Sequence, residues 1–289
     1  MAELDDRHAR MVLSTVAEPG DTSIGRLVAH FGAAETLERK LPPKLHQQLD
    51  SRKVAETLDI AHALKLSYIT PGHPCWPTAL EDLADAAPLG LWVYGDAEAL
   101  KLSAVAVVGA RSATHYGEWA AAEISAGIAA SGWCVVSGGA FGIDAASHRG
   151  AMAAHGKTIA VLAGGVDVAY PRSNELLFRA IVENGALVSE SPPGTQPLRH
   201  RFLVRNRLIA ALSRGTVVVE ARLRSGASAT AGHAASLGRD VMAVPGAITS
   251  ASSAGCHQLI RDGAVLVTSA ADVFELVAGD LPRHVPVES

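Results

Sequence analysis

The sequence predicts an α/β fold: a doubly wound, mostly parallel sheet preceded by a small helical domain. Three observations carry this. From Ala104 onward, short apolar runs rich in β-branched residues recur roughly every 24 to 30 residues, the length of a βα unit. Alanine-rich stretches of helical pattern lie between them. Several of the runs close on glycine, where a strand buried on both faces hands over to a helix.

The elements follow in order. Residues 1–65 read as a helical domain. Apolar positions recur at helical spacing over 7–16, 24–37 and 54–64, and Pro19-Gly20-Asp21 and Pro42-Pro43 punctuate them. This segment holds no catalytic cluster. It reads as a packing or partner module, with a grip on a DNA backbone as the alternative. Residues 66–103 form a connector with strands at 67–70 and 91–95, and Pro71, Pro77 and Pro88 forbid a long helix between them. Strands are then expected at 104–108, 133–137, 158–162, 186–189, 215–220, 240–244 and 264–267. Asp144, Ser173 and Ser228 are the expected helix caps. The main domain spans 66–280 and leaves a tail at 281–289.

With 48% hydrophobic residues, the 289-residue chain can bury a sizeable core. Its net charge is −4, from 25 basic and 29 acidic residues, so no overall basicity advertises nucleic acid. Cys75, Cys134 and Cys256 lie far apart, in no metal-like spacing, which fits a reducing cytoplasm without a disulfide framework. The start, MAELDDRHAR, is too charged for a signal peptide. No apolar run reaches the roughly 18 residues of a membrane span.

The chemistry gathers at strand ends. The run 105–108 closes at Gly109-Ala110-Arg111-Ser112, and the run 133–136 closes at SGGAFG, residues 137–142. In an open α/β sheet, ligands bind outside the carboxyl ends of the strands. Glycines there let backbone N–H groups approach an anion. Residues 199–224 carry seven of the nineteen arginines (199, 201, 205, 207, 214, 222 and 224) against one acid, Glu220. Arginine's planar fork suits phosphate. The competing reading makes these arginines solvated helix surface, or partners of Glu220, Glu190 and Asp144. Within a helix, Arg205 and Arg207 point about 200° apart and cannot both face one ligand. Tyr170, beside Pro171 and Arg172, either stacks a base or braces a turn.

Other chemistries lack their signatures. Gly150 to Thr158 resembles a nucleotide P-loop, but it has five residues between its glycines where that loop has four, and a helix precedes it. Gly156 reads instead as a helix C-cap. Gly109-Ala110-Arg111 does not continue as the dinucleotide fingerprint. No HExxH, GxSxG or Cys/His cluster occurs, so neither metal nor cofactor is expected.

At these residues the chain resembles the bacterial DNA-processing protein A family, also called DprA or Smf. The matching pieces are VVGARSATHYG, SGGAFGIDAASHRGA, TIAVLAGGVDVAYPRSN, GALVSESPPGTQP, FLVRNRLIAALS, VVVEARLRSGASATAGHA, GRDVMAVPG and LIRDGAVLV, in family order over about 65–275. Ala110 replaces the family's usual serine and Leu203 its usual proline. The resemblance implies an extended Rossmann-like domain that dimerises and is not an enzyme. It implies binding of single-stranded DNA, protection of incoming DNA during natural transformation, and its delivery to the RecA recombinase. Arg111 and Arg172 match family positions tied to DNA contact. With them, Gly109, Ser137, Gly138, Gly139, Phe141, Gly142, Tyr170, Arg199, Arg201, Arg205, Asn206 and Arg207 form the expected DNA site. Many members add a C-terminal winged-helix-like domain, which is expected to be missing from a chain ending at Ser289. The alternative is a nucleotide-processing enzyme that cleaves the base from nucleoside monophosphates, with Glu190 and Glu220 as the acids placed to act. That class has a Pro-Gly-Gly-x-Gly-Thr signature, which Pro193-Gly194-Thr195 and Pro245-Gly246-Ala247 do not supply. A third reading, an adaptor that binds RecA alone, leaves the arginine cluster without an anionic partner.

Overall fold

A computed structural model describes residues 5–279. The tail expected at 281–289 lies outside them. The chain opens with α1 (Asp6–Ser14), α2 (Thr22–Phe31), α3 (Ala33–Glu35), α4 (Pro43–His46) and α5 (Ser51–Ala63). Asp5, Asp21 and Asp50 cap α1, α2 and α5, each carboxylate accepting a first-turn amide left without a helical partner. The expected helix over 24–37 is broken at Gly32, which has φ +79°, and resumes as α3 and a π-turn at Thr36–Lys40. Ala9, Leu13, Ile24, Val28 and Leu37 form a small core of their own. Met11 and Ala61 instead join Tyr68 and Trp92, which docks these helices on one end of the sheet.

The strands are β1 (Ser67–Ile69), β2 (Leu91–Gly95), β3 (Ala104–Val108), β4 (Cys134–Ser137), β5 (Thr158–Val161), β6 (Ala186–Ser189), β7 (Gly215–Val218), β8 (Asp240–Ala243) and β9 (Val265–Leu266). They form one sheet in the order β1-β2-β6-β5-β4-β3-β7-β8-β9. β1 and β2 are antiparallel; every pairing from β6 across to β9 is parallel. The intervening helices are α6 (His115–Ala130), α7 (Ile143–Ala153), α8 (Glu175–Asn184), α9 (Arg199–Ala211), α10 (Gly226–Ser236), α11 (Ala254–Arg261) and α12 (Ala270–Val277). Period-two alternation divides the core. Val105 and Val107 pack with residues of α6, α7 and α12, whereas Ala104, Ala106 and Val108 pack with residues of α9, α10 and α11.

Several expected caps are corrected. α7 starts one residue before Asp144, whose carboxylate turns back to the loop before the helix. α8 is preceded by a 3₁₀ turn, Arg172–Asn174, that contains Ser173. Ser225, not Ser228, caps α10, accepting from the Ser228 amide. After α7 the left-handed residue is His155, at φ +57°. Gly156 serves packing: a Cβ there would fall on Ala129 of α6.

Candidate nucleic-acid interface

From β3 the chain winds outward through β4, β5 and β6 on one side, and through β7, β8 and β9 on the other. The reversal between β3 and β7 opens a crevice at the strands' carboxyl ends. A cavity of ≈ 650 Å³ lies there. Gly109 and Arg111 wall one side, Tyr170, Arg199 and Phe202 another, and Ser225 and Gly226 at the start of α10 a third. A smaller recess adjoins it, bordered by Arg111, Gly138, Phe141, Tyr170 and Phe202. The Tyr170 and Phe202 rings lie 5.3 Å apart, tilted by 51°. The Arg111 guanidinium sits 5.1 Å from the Phe202 ring centre, a cation–π contact that orients it without consuming its hydrogen bonds. Phe141 and Tyr170 are about half exposed. Pro171 borders this recess; Arg172, next in the chain, is exposed and lines neither cavity, and Asn174 donates to the carbonyls of Gly139 (3.1 Å) and Ala140 (3.3 Å). Arg111, Arg172 and Arg199 make no ion pair among the described residues.

The glycine loops differ from expectation in one chemical respect. Their anion positions are filled by carboxylates of the chain itself. One Asp144 oxygen accepts from the Gly138 (3.2 Å) and Ala140 (3.3 Å) amides. Burial raises the Asp144 pKa, against the pull of Arg205 and these amides. Glu220, 2% exposed, accepts from the Thr114 amide (2.9 Å) and hydroxyl (2.6 Å) at the start of α6. Ser137 is buried, its hydroxyl donating to the Val107 carbonyl at 2.7 Å. Gly139, at φ +68°, packs against Phe178. Gly142, also at φ +68°, lets the second loop press on the Ala110 and Arg111 carbonyls. These glycines bring loop onto loop, and Ser137 and Gly139 leave the set of surface contacts.

α9 sorts its arginines by direction. Arg205 is buried and donates to the carbonyls of Gly138 (2.9 Å) and Val161, and to Asn206 Oδ1 (3.3 Å). Burial lowers its pKa to about 10, with Asp144 opposing the shift. Asn206 donates to the Gly226 carbonyl at 3.1 Å. Both line the floor of the cleft. Arg207 points the other way and binds both Glu190 oxygens, at 2.8 and 2.7 Å, with both side chains more than nine-tenths buried. Helical pitch sends the two side chains to opposite sides of α9, and Arg207 is removed from the ligand surface. Arg201 pairs with both oxygens of Glu18, at 2.8 and 3.0 Å, tying α9 to the helical segment. This contact holds the Glu18 carboxyl below its ordinary range. Arg214 lies at the opposite edge, before β7, over Trp133. Of the seven clustered arginines, Arg199, Arg222 and Arg224 are exposed on loops or helix starts of the carboxyl edge. Phe202 was not singled out from the sequence; an aromatic inside the arginine run was the available signal.

Glu190 and Glu220, the acids weighed for catalysis, are each held through both oxygens. Among the described residues no group of His, Cys, Asp and Glu is placed to hold a metal ion, and no helix is long and apolar enough to cross a membrane.

The fold is thus a doubly wound, mostly parallel α/β sheet whose reversal point carries a cleft lined by arginines and aromatic rings. The chain belongs to the DNA recombination-mediator protein A family, whose model matches residues 67–278, and so to the DNA-processing proteins of recombination. It is 45% identical to the putative DNA processing protein DprA of Mycobacterium tuberculosis, over 94% of this chain and 76% of that protein. It is 44% identical to DNA processing protein DprA of Streptococcus pneumoniae, over 69% of this chain and 70% of that one. The X-ray structure of the Streptococcus pneumoniae DprA superposes with a TM-score of 0.81 at 32% identity, covering 98% of this chain and all of that one. A DprA structure from Helicobacter pylori, described for its single-stranded DNA binding mode, gives a TM-score of 0.67 at 27% identity over 76% of this chain and 98% of that one. The family and the Rossmann-like fold expected from the motifs are both shown.

Proposed function

We propose that the chain binds single-stranded DNA along the carboxyl edge of its sheet. The observation that carries this reading is the Arg111 guanidinium set over Phe202, whose ring meets Tyr170, in a cleft that Arg199 also lines. Arg111, Arg172 and Arg199 hold phosphates; Tyr170, Phe202 and Phe141 stack bases. An unpaired strand can splay its bases onto such rings, whereas a duplex keeps them stacked internally. The net acidity of the rest of the chain opposes coating of the whole surface by nucleic acid. The single-stranded DNA binding described for the Helicobacter pylori protein supports the same reading. Titration with a labelled single strand, competed by duplex, tests it: preference for duplex contradicts it.

The reading includes the absence of nucleotide turnover, because Glu190 and Glu220 are each held through both oxygens, by Arg207 and Thr114, away from the cleft surface. Incubation with nucleoside monophosphates should release no free base; release abolished by Glu190→Gln or Glu220→Gln would reinstate the enzyme reading. Protection of incoming DNA in the cytoplasm, action as a homodimer and delivery of the strand to RecA rest on the family resemblance. They extend the proposal beyond the cleft.

A further inference from the structure

Beyond loop 109–114 from the cleft, α6 opens with two aromatic side chains left in water. Tyr116 is 45% exposed and Trp119 62% exposed. Three residues apart, they share one face of the helix. Their rings lie 6.4 Å apart, tilted by 35°. Trp76 and Trp92 are buried, and Trp133 packs on Phe274, so Trp119 alone among the tryptophans lacks a core role. The Tyr116 hydroxyl donates to the Pro245 carbonyl at 2.7 Å, which fixes the ring's orientation while leaving a face open. A fixed aromatic face costs little entropy when a planar ligand stacks on it.

The surroundings indicate which ligand. β3, β7 and β8 are neighbours, so the loops that leave them, 109–114, 219–225 and 244–253, lie side by side on the carboxyl edge. Glu220 ties the middle loop to Thr114. The Ala221 and Arg222 carbonyls pack where a Cβ on Gly255 would sit, which holds the same loop from its other side. Arg222 and Arg224, exposed on it, make no ion pair among the described residues. Arg111 and Tyr116 are five residues apart, a reach of at most about 18 Å. An apolar protein partner would have to strip water from these arginines; a phosphodiester chain would pair with them.

We infer that the Tyr116–Trp119 pair is a second base-stacking platform. It receives a single strand that leaves the Arg111 cleft over the β3–β7 edge, with Arg222 and Arg224 on its phosphates. The inference rests on the single-strand reading of the cleft, and the experiment separates the two. Oligothymidylates of about 4 nucleotides and of about 16 are titrated against the full chain, following affinity and tryptophan emission. The longer strand should quench Trp119 and the shorter should not. Trp119→Ala should weaken the longer strand about 5- to 150-fold, the range for loss of one stacked base, and leave the shorter unchanged. Trp119→Phe should recover most of the loss, and an unchanged melting curve should accompany both variants. Arg111→Ala should weaken both lengths. If Trp119→Ala matches the wild type at both lengths while Arg111→Ala still weakens binding, the platform is wrong and the cleft stands. Equal losses at both lengths also overturn the platform, as does a dimer that Trp119→Ala converts to monomer in light scattering. If the wild type binds neither oligonucleotide, the reading of the cleft itself fails.

Discussion

Arg111 and Arg207 have the same chemistry but different surroundings. Arg111 is exposed, braced on an aromatic ring and paired with no carboxylate among the described residues. Arg207 is buried against Glu190. Removing one partner of a buried pair leaves an uncompensated charge, so Arg207→Ala should destabilise the fold by about 3–5 kcal/mol. Arg111→Ala should leave the urea midpoint unchanged and weaken DNA binding. A similar loss of stability in both variants would contradict this division. His148 is fully buried, bonded through Nδ1 to Thr158 at 2.7 Å, with no partner for Nε2 among the described residues. Burial lowers its pKa from 6.5 to about 3, helped by Arg205 and Arg149. Below pH 6.5 the unfolded chain takes a proton that the folded protein refuses, so stability is lost as pH falls. Between pH 7 and pH 5 the loss should be about 2 kcal/mol. Urea midpoints at the two pH values should show it, and His148→Gln should show a shallower acid slope.

At the scale of elements, close approach sets what substitution is tolerated. A Cβ at Gly150 of α7 would meet the backbone of Ala122 on α6, whereas one at Gly232 of α10 meets nothing within 4 Å. Gly150→Ala should therefore cost about 1–3 kcal/mol through overpacking. Gly232→Ala should gain about 0.5–1 kcal/mol through helix propensity. Urea unfolding of both variants checks the pair, and a shift of the same sign in each would contradict it. Strands such as β3 and β7 were legible because a strand buried on both faces must be a short apolar run, and glycine marks its exit. The opposed directions of Arg205 and Arg207 were legible because helical pitch fixes them. Glu220 as the anion at Thr114, and Glu18 as the partner of Arg201, were not: 106 and 183 residues separate the partners, and only the folded chain brings them together. Strand order was hidden for the same reason. The reversal between β3 and β7, which positions the cleft, is a property of the assembled sheet.

For the whole molecule, two consequences follow from the sheet. Its last strand, β9, is two residues long and forms an edge, with Val265 and Leu266 about half exposed. Val273 and Val277 of α12 are buried against their own sheet and offer no apolar face to a partner. An apolar edge strand invites pairing with another chain. Pairing of two chains through this edge predicts that light scattering at high concentration reports twice the 29.9 kDa chain mass, and that Leu266→Asp restores the monomer. A wild-type monomer at every concentration would contradict this. The other consequence is that the two edges of the sheet differ in function. Arg111 and Arg172 stand at the carboxyl edge, while Arg239, paired with Asp82, stands at the amino edge before β8. The measurement that tests the account most directly is the salt dependence of single-strand affinity in the wild type, Arg111→Ala/Arg172→Ala and Arg239→Ala. With roughly four phosphates neutralised, log affinity against log salt should fall with a slope near −3 in the wild type and in Arg239→Ala. In the double variant the slope should be shallower by about one to two, on every sequence tested, with a normal melting curve. Wild-type affinity and slope in the double variant, or equal losses in all three arginine positions, would contradict a DNA site at the carboxyl edge.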